Sequence, residues 1–160
     1  MEPSVPKNLF EEIARNGEAA ARQHLESLVN SDEKTFETQY LEFKSGRTQN
    51  VGDPWSQELS AFANSDGGII IWGIGTARHN GVDYAATIDH VAKPLRLKGE
   101  LEKYLQHGTD PPLSGVEVVP VPSSDDPGFV VCFVSFRLAC MTDFAGPSGV
   151  VSGRPGAVIT

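Results

Sequence analysis

The stretch from Ser60 to Ile74 constrains the fold more than any other part of the chain. An amphipathic segment ends in Asn64-Ser65-Asp66-Gly67-Gly68, and an unbroken apolar run, Ile69 to Trp72, follows before Gly73. Trp55, Leu59, Phe62 and Ala63 recur at helical spacing, which predicts a helix with one apolar face over 55–64. Asn64, Gly67 and Gly68 can take the backbone conformations that stop a helix and reverse the chain, and Gly73 closes the run that follows. Ile69 to Ile74 carries β-branched and aromatic residues with no polar alternation. A strand of that kind has to be covered on both faces.

Outward from this corner the chain reads as alternating elements. Residues 9–29 have a helical period, with Leu9, Phe10, Ile13, Ala20, His24, Leu25 and Leu28 near one face and Gly17 as a weak point. His24 reads as a packing residue rather than a ligand. Residues 36–44 read as a strand, 45–54 as a loop carrying Arg47, and Pro54 suits a first helical turn. Gly75 to Asp83 is a loop or hairpin with Asn80-Gly81 as its turn signal. Ile88 to Gln106 has a helical period set by Val91, Leu95, Leu101, Tyr104 and Leu105, with Pro94 and Gly99 predicting a break into two helices. Asp110-Pro111-Pro112 reads as a linker. Val116–Val121 and Phe129–Phe136 read as strands, the first at a sheet edge because of Pro120 and Pro122. The expected architecture is α+β: a small mixed sheet of four or five strands packed with two or three helices. A helical extension over 1–35, a central domain over 36–136 and an irregular tail over 137–160 complete the expected organisation.

Charge narrows the function classes. The 160-residue chain carries a net charge of −8. Strong non-specific nucleic-acid binding normally uses a basic surface, so such a role requires a local basic patch or a metal here. Lys93, Arg96, Lys98 and Lys103 form the most basic stretch, and with Lys44 and Arg47 they are the candidate phosphate contacts. No apolar run reaches the ~20 residues that span a bilayer. Glu2, Pro3 and Pro6 do not read as a secretory signal, and Cys132 and Cys140 lack metal spacing, so a cytoplasmic protein with no membrane partner is expected.

The strand at 36–44 holds the reactive groups. Glu42 and Lys44 are two apart and share a face, a pairing that can hold a divalent cation and stabilise a developing phosphate charge. Glu37 lies five residues before Glu42, and in a regular strand that odd offset puts the two on opposite faces. They converge only if Glu37 precedes the strand or sits at a bulge. The glycine turns fit neither a Walker loop nor a dinucleotide fingerprint.

Glu37-x-x-x-x-Glu42-Phe43-Lys44, followed by Ser60-Ala61-Phe62-Ala63-Asn64-Ser65-Asp66-Gly67-Gly68-Ile69-Ile70-Ile71-Trp72-Gly73-Ile74, resembles the Schlafen-type AlbA-like domain over roughly residues 36–136. That family is commonly described as a candidate DNA-binding domain. The resemblance implies a nucleic-acid-binding domain, RNA or DNA, that requires no cofactor. In ribonuclease members three carboxylates form the site, and Glu37 and Glu42 match two of them, with Lys44 beside them. The alternative it implies is a Mg²⁺- or Mn²⁺-dependent endoribonuclease with Glu37 and Glu42 on the metal. The third acid falls in a Gly-Val-Asp-Asp segment that reads Gly73-Ile74-Gly75-Thr76 here, and Asp66 and Asp83 are the nearest substitutes. The family's basic and aromatic strand pair near its end has no match in 137–160. A second alternative is a protein-interaction module forming a homo-oligomer through the N-terminal helix and the edge strand at 116–121.

Overall fold

The apolar run becomes strand β2 (Gly68–Trp72), and every residue of it is buried. It sits inside a four-stranded mixed sheet whose spatial order is β1 (Leu41–Lys44), β2, β7 (Phe129–Val134) and β6 (Val116–Val121). Strand β1 runs parallel to β2, whereas β7 runs antiparallel to both β2 and β6. The computed structural model describes residues 10–12, 15–63, 66–107, 109–110, 115–135 and 158–159. The architecture is α+β.

Both faces of the sheet are covered, as the unbroken apolar strand requires. Ile70, Trp72, Val130, Cys132 and Val134 face one way, against Trp55, Leu59 and Phe62 of helix α2 (Gly52–Ala63) and Leu97, Leu101 and Leu105 of helix α3 (Pro94–His107). Ile69, Ile71, Phe129 and Val131 face the other way, against Phe10 and against Ala21 and Leu25 of helix α1 (Gly17–Asn30). Each fully buried isoleucine on these faces stabilises the fold by about 1.5–3 kcal/mol. The Trp55 indole N–H donates to the Leu101 carbonyl at 3.1 Å and ties the two helices together. The Trp72 indole N–H finds no oxygen or nitrogen acceptor among the described residues and lies against the Cys132 thiol, a weak acceptor.

Several elements differ from the sequence reading. The helix expected over 9–29 is interrupted: Gly17 has φ +84°, and α1 starts there. The interruption resets the helical phase, so Ala21 is buried while Ala20 is exposed. Leu9 and Ile13 lie outside the described residues. His24 is part-exposed, its Nδ1 3.6 Å from a Glu12 carboxylate oxygen. The strand expected over 36–44 is only Leu41–Lys44, because Phe36 pairs elsewhere and Thr38 bridges back to Leu41 in a tight turn. The strand expected over 69–74 divides at Gly73, whose φ of +118° sends the chain out of the main sheet into β3 (Ile74–His79). Strand β3 forms a hairpin with β4 (Val82–Ile88), and Asn80 (φ 52°) and Gly81 (φ 80°) make its turn. This hairpin takes Ile88 away from the expected helix. Helix α3 is a single helix, not two, because Pro94 occupies its first position, where the ring is tolerated. Counting from Pro94 buries Leu97, Leu101 and Leu105 and leaves Leu95 and Tyr104 exposed.

Of the glycine-corner residues, Asn64 lies outside the described residues. Gly67 has φ +82°, and its N–H donates to the Phe62 carbonyl at 3.2 Å, closing α2. A Cβ on Gly68 would stand 2.8 Å from the Tyr40 carbonyl oxygen, so the helix, β2 and the entry to β1 can meet only around a glycine. Beyond α3, Thr109–Asp110 (β5) pairs antiparallel with Val158–Ile159 (β8), while Pro111 and Pro112 lie outside the described residues.

These placements fix opposite outcomes for two glycine substitutions. Gly73→Ala puts a side chain on a positive-φ residue and a Cβ 2.7 Å from the Phe129 ring, and is expected to destabilise by about 2 kcal/mol or more. Gly99→Ala, inside α3 with open space around it, is expected to raise stability by about 0.5–1 kcal/mol. Urea unfolding of the two variants measures both signs.

Candidate functional site

Strand β1 carries alternating side chains. Leu41 and Phe43 are buried towards α1, and Glu42 and Lys44 project to the other face, under α2. There the Lys44 ammonium lies 3.1 Å from a Glu42 carboxylate oxygen and 3.1 Å from one of Glu58, which α2 contributes from above. The three side chains are only 18–23% exposed. Glu37 precedes the strand and folds back on it, and its Oε1 accepts the Phe43 N–H at 3.1 Å. That N–H points away from β2, so Glu37 covers a donor on the open edge of the sheet.

The cluster holds three carboxylates and one ammonium at partial burial. Burial, with the neighbouring Glu58 charge next in size, pushes the Glu42 carboxyl up to about 7, although Lys44 opposes this. Burial likewise raises Glu37, against the pull of the Phe43 N–H. Burial alone would lower Lys44, but its bonds and charge contacts with Glu42 and Glu58 outweigh that and hold it above its ordinary value.

Glu58 is the member that the sequence reading missed. It sits beside the apolar stripe of α2 and carries no motif; only the crossing of α2 over β1 brings it to Lys44. The residues do not fit a hard divalent cation as they stand. An ammonium occupies the space between Glu42 and Glu58, and Glu37 is engaged with the backbone. Thr76, at the third-acid position, is exposed on β3 and offers only a hydroxyl. Asp83 is held by Arg78 at 3.0 Å, and Asp66 is exposed. Among the described residues no group of three or more histidine, cysteine or acidic side chains is arranged for a metal. A metal-dependent cleavage would need Lys44 to yield its place.

The basic residues divide into two sets. Lys44 is enclosed by acids, Lys98 holds Glu102 at 2.8 Å, and the Arg96 Nε is 3.5 Å from Glu100. Arg47, Lys93 and Lys103 are exposed, and among the described residues no carboxylate pairs with them. The loop after β1 faces α3 across a groove of about 700 Å³, with Thr48, Gln49, Asn50 and Val51 on one wall and Lys103, Tyr104 and His107 on the other. An adjoining hollow of about 230 Å³ shares Thr48, Val51 and Glu100 with it and is lined by Lys93 and Arg96. Arg47 stands in the same loop, between the lining residues Gly46 and Thr48. The loop is pinned from behind, because the Gly46 N–H donates to the Asp89 carbonyl at 2.8 Å. Lys44, Glu42 and Glu37 line neither hollow, so the acidic cluster and the groove are separate features of the β1–α2 unit.

The sequence model of the family described as Schlafen, AlbA_2 matches residues 37–143, more than half of the chain. The chain belongs to this family. The match starts at Glu37 and takes in the charge cluster, the glycine corner and both walls of the groove. No curated protein is significantly similar to the chain. Among solved structures, the N-terminal domain of an ATP-dependent DNA helicase RecG-related protein from Nitrosomonas europaea is similar, at 18% identity and a TM-score of 0.46 over 71% of each chain. No helix among the described residues is long and apolar enough to cross a membrane.

Two outcomes follow from the cluster. Between about pH 4.5 and 7 the folded chain keeps a proton on Glu42 that the unfolded chain has released, so stability falls as pH rises through that window. The loss is fully present above 7 and amounts to at most about 3 kcal/mol. Glu42→Gln is expected to flatten the melting temperature against pH between 4.5 and 7; an unchanged slope would mean an ordinary, solvated carboxylate. Millimolar Mn²⁺ is expected to leave the melting temperature of the wild-type chain where it is, and a rise would mean that Lys44 gives way to a cation.

Proposed function

We propose that the chain binds nucleic acid along the groove between the loop after β1 and helix α3, with Arg47, Lys93 and Lys103 as its principal phosphate contacts. The observation that carries this reading is where the uncompensated cations lie. The protein is acidic overall, at −8, and most cations of the described residues are matched by a nearby carboxylate. Of those that are not, Lys103 lines the groove, Lys93 lines the adjoining hollow and Arg47 stands in the loop that walls both, while Lys34 lies apart over the Tyr84 ring. An acidic protein with unmatched cations around a groove presents a local positive field there, which is what a polyphosphate backbone requires. Arg96 has most of its side chain in solvent and can exchange Glu100 for phosphate at small cost, since exposed ion pairs contribute about 0–1 kcal/mol. Lys44 and Lys98 act as internal counterions in this reading. Membership of the family supports it.

The test is binding of short RNA and DNA over a salt series. Affinity is expected to fall linearly on a log–log plot, by about 0.7 per neutralised phosphate for single strands and about 0.9 for duplex. Lys93→Ala and Lys103→Ala are each expected to reduce that slope by about 1, while Lys98→Ala, whose ammonium is held by Glu102, leaves it unchanged. Absence of binding at low salt, or binding that ignores salt, would remove the proposal.

A further inference from the structure

The segment before β1 lies alongside β4 and pairs with the β3–β4 hairpin through a single bridge at Phe36. The Glu37 N–H donates to the Asp83 carbonyl at 2.8 Å, the Ala85 N–H donates to the Thr35 carbonyl at 2.9 Å, and Phe36 pairs antiparallel with Tyr84. Tyr84 is opposite Ala77, and Val82 is opposite His79. Paired residues share a face, so Phe36, Tyr84, His79 and Val82 stand together on one side of this small sheet. Ala85, on the other side, is buried in the core shared with α1. The aromatic side is therefore the solvent side: Phe36 is 36% exposed, Val82 is 43% exposed, and His79 is exposed.

The rings are in contact with one another. Phe36 and Tyr84 meet edge to face at 6.0 Å between centroids, and Phe36 and His79 are 6.3 Å apart. Lys34 lies over the Tyr84 ring, its Nζ 5.3 Å from the centroid. Arg78 and Asp83 alternate with His79 and Tyr84 along the hairpin, so they pair with one another on the opposite side, at 3.0 Å. The adjacent acids, Glu37 beside Phe36 and Asp83 beside Tyr84, alternate to the other side of the small sheet, and Asp32 and Glu33 lie in the bend before the segment. Rings backed by a cation on an open sheet face suit a flat apolar group attached to an anion.

We infer that this face is a stacking platform for unpaired bases, so that a single-stranded polynucleotide is bound here through Phe36 and Tyr84, with Lys34 on its phosphates. Bases of a duplex present their faces to one another and cannot reach the rings, so the platform discriminates single strands from duplex. The inference rests on the nucleic-acid reading above but uses a surface that shares no residue with the groove.

Phe36→Ile and Tyr84→Ile keep strand preference and bulk while removing a ring, and the Lys93 and Lys103 variants serve as the groove controls. With oligo(dT) as the single-strand probe, each ring variant is expected to weaken binding on the order of tenfold, with the salt slope unchanged and duplex affinity unaffected. In the wild-type chain, oligo(dT) is expected to shift the Phe36 and Tyr84 ring proton resonances upfield. Unchanged oligo(dT) affinity in ring variants that keep the wild-type melting temperature overturns the platform and leaves the groove reading standing. Equal losses for duplex and single strands, or a changed molecular mass by light scattering in their place, overturn it also. A wild-type chain that binds duplex but not oligo(dT) removes the platform alone, and one that binds neither removes both.

Discussion

Strand β2 has no polar side, and the rest of the fold answers that constraint. Ile69 and Ile71 need one cover and Ile70 and Trp72 another, so a single sheet with helices on one side would leave half of the strand in water. The chain supplies α2 and α3 to one face, and α1, Phe10 and the start of the hairpin to the other. The glycines at both ends of the strand follow from the same demand. Gly68 lets the end of α2 and the entry to β1 come within contact of the strand, and Gly73 turns the chain away once the buried run is complete.

That arrangement explains why charge is half-buried at the sheet edge. Strand β1 pairs with β2 through its backbone and buries Leu41 and Phe43, so Glu42 and Lys44 are left on the face that α2 crosses. Removal from water disfavours each charge separately, and the three groups persist because Lys44 bridges two carboxylates. Glu37 completes the edge by covering the Phe43 N–H. Glu37, Glu42 and Lys44 thus stand at the border of the sheet, while Arg47 lies on the loop after β1, Lys93 just before α3 and Lys103 on it. The same separation leaves the hairpin free: its inner side completes the core, and its outer side keeps aromatic rings in solvent.

Much of this was legible in the residues. The helix, glycine corner and buried strand, the hairpin turn at Asn80-Gly81, the edge position of 116–121 and an α+β class with a sheet of four or five strands all follow from local period and turn chemistry. The departures are also local. A period running through Pro94 favours Leu95 and Tyr104 for the core, whereas the helix starts at Pro94 and buries Leu97 instead. Alternation over 36–44 does not show which strand a residue pairs with, and Phe36 belongs to the hairpin. Gly73 looked like the end of a strand, whereas its positive φ makes it a corner between two.

The sequence by itself determined which segments must be buried, where the chain must turn, and that any polyanion would have to be met by a local basic patch or a metal on an acidic protein. These are properties of single segments, set by side-chain period, glycine and net charge. Only the tertiary structure decided which charges neutralise one another. Glu58 reaches Lys44 because α2 crosses β1, and Phe36 joins Tyr84 because a segment upstream of one strand pairs with a strand far downstream. Such contacts depend on distance through space between elements, and a linear pattern carries no record of it.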